Sequence, residues 1–136
     1  MEFNDGSDRR DVFVGGAWRP GGAGAFDVLD PATGEVVSAV SDGNEADGRA
    51  AVDAAVQAGR EWSVTAPRER SEILRRTFEL MLRDREELAD LISAENGKAL
   101  ADARAEVTYA AEFFRWFAEE AVRTAGDYGA APAGGT

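Results

Sequence analysis

The sequence contains no cysteine and no histidine. The first absence removes thiolate nucleophiles and disulfides, and the second removes imidazole as a general base or ligand. Together they exclude ordinary structural zinc sites, which are built from those two side chains. Any chemistry carried by this sequence alone rests on Asp, Glu, Ser, Thr, Tyr, Lys or Arg. Lysine is nearly absent too: of 15 basic residues only Lys98 is a lysine, against 26 acidic residues and a net charge of −11. That balance disfavours nucleic acid as a partner, since phosphate binding needs a basic face. An acidic, lysine-poor chain fits adaptation to a salty cytoplasm, and it fits a GC-rich coding bias equally well. No apolar run approaches the roughly 20 residues of a membrane span. Residues 1–11 are polar and acidic and read as a disordered leader with no apolar signal core, so a cytoplasmic location is expected.

What remains is a globular composition, 44% apolar and 30% charged over 136 residues, enough for one domain or part of one. Val12-Phe13-Val14 and Ala17-Trp18 read as short strands around a Gly15-Gly16 turn. Ala25 to Leu29 and Glu35 to Val40 read as two more, joined by the turn Asp30-Pro31-Ala32-Thr33-Gly34. This small antiparallel β unit, residues 12–40, is marginal without something to pack on.

Residues 45–124 read as helical. Asn44, with Asp47 three residues on, is a good N-cap, and Val52, Ala55, Val56, Gly59 and Trp62 form the inward face of the first helix. Pro67 sits in the first turn of a second helix, whose face is Leu74, Phe78, Met81 and Leu82. Asp84 with Glu87 resembles a capping box for a third, with Leu88, Leu91 and Ile92 inward and Gly97 as its stop. Lys98 then lies near the negative end of that helix. In the last helix, about residues 99–124, Leu100, Ala103, Val107, Ala110, Phe114, Phe117 and Ala121 make one apolar seam. Tyr109, Phe113 and Trp116 make a second line beside it. A face this wide is expected to be buried on more than one side. Residues 127–136 have no periodicity and read as a flexible tail.

The glycine clusters do not lead from a strand into a helix, so they read as turns rather than phosphate cradles. The adjacent pairs Glu86-Glu87 and Glu119-Glu120 diverge by about 100° on a helix and read as solvated faces. Arg68, Arg70, Arg75 and Arg76 are interleaved with Glu69 and Glu72, which favours pairing along the helix over an anion site.

Several of these segments, in this order, resemble the N-terminal part of the aldehyde dehydrogenase superfamily. Val14-Gly15-Gly16-Ala17-Trp18 resembles its opening turn, and Asp30 to Val36 its Asn-Pro-Ala-Thr-Gly hairpin. Ala51 to Ala55 followed by Trp62 resembles its first long helix, and Arg70 with Ile73-Leu74 its second. Glu95 to Leu100 is similar to its Glu-x-Gly-Lys junction. Glu106 and Tyr109 to Glu120 resemble the succinate-semialdehyde dehydrogenase branch especially. Each motif is weak alone; six in order over about residues 12–127 are specific.

The resemblance implies an α+β segment of an α/β enzyme: short antiparallel strands from an oligomerisation sheet, followed by about four helices flanking a dinucleotide domain. It implies oxidation of a small aldehyde, succinate semialdehyde being the one suggested, to its acid with NAD or NADP. In the family a cysteine attacks the aldehyde, the nicotinamide takes hydride, and a glutamate activates water. Those residues, and the Trp-Asn-Phe segment that opens the dinucleotide core, have no counterpart in this sequence. No catalytic or cofactor-binding residue is therefore assigned, and neither cofactor is expected to bind this chain alone. The resemblance places Tyr109 on the substrate tunnel. Phe113, one turn on, shares that wall or packs in the core. It also implies a monovalent cation site formed by Glu95 with the backbone carbonyls of Val28 and Leu29, a donor set suited to a hard cation. Relatives often carry Asp at the Glu95 position.

Two functions are expected from this. One is a catalytically incomplete N-terminal fragment of an NAD(P)-dependent aldehyde dehydrogenase, which needs the remainder of the dehydrogenase or an intact subunit and is a homo-oligomer when complete. The other is a non-catalytic helical binding module that associates with a dehydrogenase subunit or another partner. Neither uses nucleic acid or membrane. Alone, the chain is expected to be loosely packed or aggregation-prone, because its last helix lacks cover.

Overall fold

The structure, a computed structural model, describes residues 10–124 and 126. The order of elements is β1 (Val12–Val14), β2 (Ala17–Arg19), β3 (Gly24–Leu29), β4 (Val36–Asp42), α1 (Glu45–Val64), α2 (Pro67–Arg83), α3 (Arg85–Asn96) and α4 (Leu100–Glu120). Most of the expected leader, and the tail from residue 127, lie outside the described residues.

The strands form two separate antiparallel hairpins rather than one sheet. In β1–β2, Val12 faces Arg19 and Val14 faces Ala17. Gly15 and Gly16, both at positive φ (63° and 86°), close the loop in the twist that a two-residue hairpin favours. In β3–β4 the register runs from Gly24 opposite Asp42 to Val28 opposite Ser38, then slips at a bulge so that Leu29 faces Val36. The connecting turn is self-satisfied: the Asp30 carboxylate accepts from the Ala32 N–H at 2.7 Å, and the Asp30 carbonyl accepts from the Gly34 N–H at 2.7 Å. Ser41 ties β4 to the segment before β1, its N–H donating to the Arg10 carbonyl and its hydroxyl to the Asp11 carboxylate.

Asn44 and Asp47 make the N-terminal cap of α1, as their spacing predicts. The Asn44 side chain accepts from the Asp47 N–H at 3.1 Å, and the Asp47 carboxylate accepts from the Asn44 N–H at 3.0 Å. The same carboxylate accepts from the Gly22 N–H at 2.7 Å and from Arg19 at 3.1 Å, so it joins the β2–β3 loop to the helix start. These bonds, the Asn44 and Gly22 amides first and the Arg19 charge after them, hold the Asp47 carboxyl below its ordinary value of 3.8.

The helical core is made by α4 packing on α2 and α3. Its buried members are Ala89, Ala103, Val107, Ala111 and Ala118, joined by Ser71 of α2, with Leu88, Ile92 and Leu100 partly covered around them. Alanine and serine let helix axes approach closely, but each removes little apolar surface from water. Among the described residues no large side chain is fully buried.

Three expectations are corrected here. The apolar face assigned to α1 is uncovered: α1 has no buried residue, and Val52, Val56 and Trp62 are exposed. Asp84 stands at the N-cap position of α3, as expected, but its side chain makes no cap bond: the adjacent Arg83 holds both its carboxylate oxygens at 2.7 and 2.8 Å. That ion pair also holds the Asp84 carboxyl below its usual range. The seam of α4 rotates after Val107: Ala111 and Ala118 turn inward, while Phe117 turns out. Close helix packing selects the small residues, which leaves the rings outside.

Candidate substrate wall and cation ligands

Helix α4 exists because its 21 residues include many strong helix formers and no internal glycine or proline. Its start has no side-chain cap; Ala99 occupies that position, and the first turn closes through the Ala103 N–H to the Ala99 carbonyl at 2.9 Å. The helix presents its small residues to α2 and α3 and its aromatic line to the opposite side. Tyr109 is 67% exposed, Phe113 47%, Trp116 63% and Phe117 54%.

The structure brings the two expected tunnel residues together. The Tyr109 and Phe113 rings meet edge to face, with centroids 5.0 Å apart and planes at 88°, a favourable aromatic geometry. Phe113 is half exposed in this chain. Trp116 and Phe117 continue the same groove. Phe117 was expected inside; its place on the groove follows from the alanine pattern at 103, 111 and 118, which was readable as a close-contact seam. The cation lining this part of the groove is Arg115, and it is already bound by Glu112 at 2.7 Å one turn earlier. This groove is thus largely apolar and aromatic, with Arg115 paired along its own helix.

The expected cation ligands lie on two elements that touch at Gly97 and Pro31. Gly97 ends α3 in the left-handed region (φ 71°), and Pro31 of the β3–β4 turn packs where a Cβ at Gly97 would stand, 2.9 Å from its Cγ. Glu95 lies two residues before Gly97, and Leu29 two residues before Pro31. The β3–β4 bulge falls between Val28 and Leu29, interrupting the ladder at the two residues whose carbonyls the cation would use. Glu95 is exposed. Among the described residues no three acidic side chains converge as a metal cluster.

The glycine-rich loop before β3 offers no open phosphate cradle. The glycine-rich segment 21–24 lies between two strands. Its Gly22 N–H already serves the Asp47 carboxylate, and the side of Gly21 where a side chain would stand is filled by the Asp42 carbonyl. No helix among the described residues is long and apolar enough to cross a membrane.

Residues 18–135 match the aldehyde dehydrogenase family model. The chain belongs to the aldehyde dehydrogenase family. It is similar to the mitochondrial succinate-semialdehyde dehydrogenase of Rattus norvegicus, 45% identical over 119 residues, 88% of this chain and 23% of that protein. It is also similar to the glutarate-semialdehyde dehydrogenase of Pseudomonas putida, 43% identical over 120 residues, 88% of this chain and 25% of that protein. The crystal structure of succinate-semialdehyde dehydrogenase from Burkholderia pseudomallei superposes with a TM-score of 0.86 at 40% identity, over 91% of this chain and 26% of that one. This aldehyde dehydrogenase chain therefore spans about a quarter of the length of the relatives it matches. Short antiparallel strands followed by four helices are the fold of an N-terminal segment of that family, as the motifs implied.

Proposed function

We propose that the chain acts as the amino-terminal quarter of an NAD- or NADP-dependent aldehyde dehydrogenase that oxidises a short semialdehyde to the acid. Succinate semialdehyde is the first candidate, on the strength of the relatives' names. The observation that carries the reading is the aromatic face of α4. Four rings stand uncovered on one side of a helix whose other side is packed, and a globular chain rarely leaves so large an apolar patch without a functional partner. In this proposal Tyr109 and Phe113 form one wall of the substrate tunnel. The Pro31–Gly97 contact supports Glu95, Val28 and Leu29 as ligands of a monovalent cation at the strand–helix junction. Uncovered Phe26, Leu29 and Val36 on the β3–β4 hairpin support assembly into an oligomer.

The segment itself supplies no chemistry step. It contains no cysteine for attack on the aldehyde, and the Gly22 amide of its glycine-rich loop already serves the Asp47 carboxylate. What it contributes is shape: an aromatic surface that excludes water from the aldehyde and orients it for attack.

The test uses the polypeptide that carries this N-terminus, purified from its own cells, with succinate semialdehyde and each dinucleotide. The expected result is reduction of NAD or NADP, and a Tyr109→Ala variant that raises KM for the aldehyde about three- to ten-fold. Absence of dinucleotide reduction with succinate semialdehyde, glutarate semialdehyde and simple short aldehydes overturns the proposal.

A further inference from the structure

The α3–α4 connection is held at more points than a short loop requires. Gly97 is wedged against Pro31. The Ser93 hydroxyl donates to the Lys98 carbonyl at 2.8 Å, across the end of α3. The Lys98 ammonium was expected near the negative end of α3. It instead reaches forward to the Glu106 carboxylate, in the second turn of α4. Lys98 is the sole lysine of the sequence. Its backbone is thus fixed to the end of one helix while its side chain grips the next.

Glu106 is no bystander to the proposed wall. With Tyr109 and Phe113 it lines a groove that adjoins the one Trp116 and Phe117 continue, and it precedes Tyr109 by three residues, which places the two side chains as neighbours on the helix surface. Helix α4 needs such an anchor because no side chain caps its start. A slip of one residue moves Tyr109 about 1.5 Å along the axis and about 100° around it, which carries the ring out of the groove.

We propose that Lys98 and Glu106 are a positioning pair, setting where Tyr109 and Phe113 stand on the substrate wall. The proposal rests on the reading of α4 as that wall. The pair is partly exposed, with Lys98 34% and Glu106 47% accessible. Exposed pairs shift an equilibrium by only a few-fold, too little to hold the fold but enough to bias the register of one uncapped helix start.

The test is a charge-swap cycle in the complete polypeptide: Lys98→Glu, Glu106→Lys and the double exchange, with Tyr109→Ala alongside. Each single reversal is expected to raise KM for the aldehyde about three- to five-fold, with kcat and the dinucleotide KM within about two-fold. The double exchange is expected to return KM to within about two-fold of the parent. Singles that leave KM unchanged while Tyr109→Ala raises it overturn the pair and leave the wall standing. An unchanged KM in Tyr109→Ala overturns the wall. The pair is then judged by hydrogen exchange in the complete polypeptide. There, amides of the first turns of α4 are expected to exchange about three- to five-fold faster in each single variant and to recover in the double. Equal exchange in all variants overturns the pair by itself. Lys98→Met, which keeps the stem and removes the charge, covers the case in which a reversal unfolds the chain.

Discussion

Gly97→Ala is the sharpest perturbation of the contact that joins the helices to the strands. Gly97 sits at φ 71°, and an added Cβ would stand 2.9 Å from the Pro31 Cγ and 3.8 Å from its Cβ. The left-handed backbone costs an L-residue roughly 1–2 kcal/mol. The stiffer unfolded chain offsets roughly 0.4–1 kcal/mol of that. The collision with a ring that cannot rotate away adds about 1–3 kcal/mol, the usual cost of overpacking. The net expectation is about 1–5 kcal/mol, centred on about 3 kcal/mol. Gly34→Ala is the control. Its φ is 75° and nothing lies within 4 Å, so only the backbone part applies, about 1 kcal/mol. Urea unfolding followed by far-UV circular dichroism reads helix loss in both variants. In a cycle with Pro31→Ala, the excess cost at Gly97 is expected to fall by about half or more. Equal destabilisation by Gly97→Ala and Gly34→Ala, with no coupling to Pro31, would refute the docking of the α3 end on the β3–β4 turn. The argument for Glu95, Val28 and Leu29 sharing a cation would go with it.

Two further outcomes follow from the same geometry. The Asp47 carboxyl is held below its ordinary 3.8 by the Asn44 and Gly22 amides. Its contribution to the start of α1 is therefore complete above that value and is lost as pH falls through the lower folded one. The protection of the first-turn amides of α1, taken as exchange relative to the unstructured-chain rate at each pH from about 5 to 2, should fall in the parent and lose most of that pH dependence in Asp47→Asn; identical profiles would contradict it. The 136-residue chain should bind an apolar fluorescent dye through α4. Combining Phe113→Ser with Trp116→Gln should cut the signal by roughly half or more without loss of helix, whereas an unchanged signal would place the exposed surface elsewhere.

Local signals in the sequence located most elements. Gly15-Gly16 needed a primed turn, Asp30 to Gly34 satisfied its own backbone, Asn44 and Asp47 capped each other, Pro67 opened α2 and Gly97 closed α3. What did not read through was the side each helix buries. Periodicity identifies an apolar face but not whether anything covers it, so Val52, Val56 and Trp62 looked inward on α1 and are exposed. On α4 the weight given to large rings placed Phe117 inside, whereas close packing chose Ala111 and Ala118. At Asp84 the spacing to Glu87 suggested a cap, but an arginine next in sequence captured the carboxylate first. The expectation of Tyr109 and Phe113 as tunnel residues comes only from the family resemblance. Their ring-to-ring contact, and the reach of Lys98 to Glu106, needed coordinates, since a separation of eight residues across a helix junction has no fixed geometry in sequence.

The central claim is that this segment works as a wall and scaffold within a longer dehydrogenase chain. The intact mass of the native polypeptide that carries this N-terminus tests it most directly. Because the chain spans 23% of one matched relative and 26% of another, the mass predicted is roughly four times 14.5 kDa. A native product of 14.5 kDa would contradict the claim.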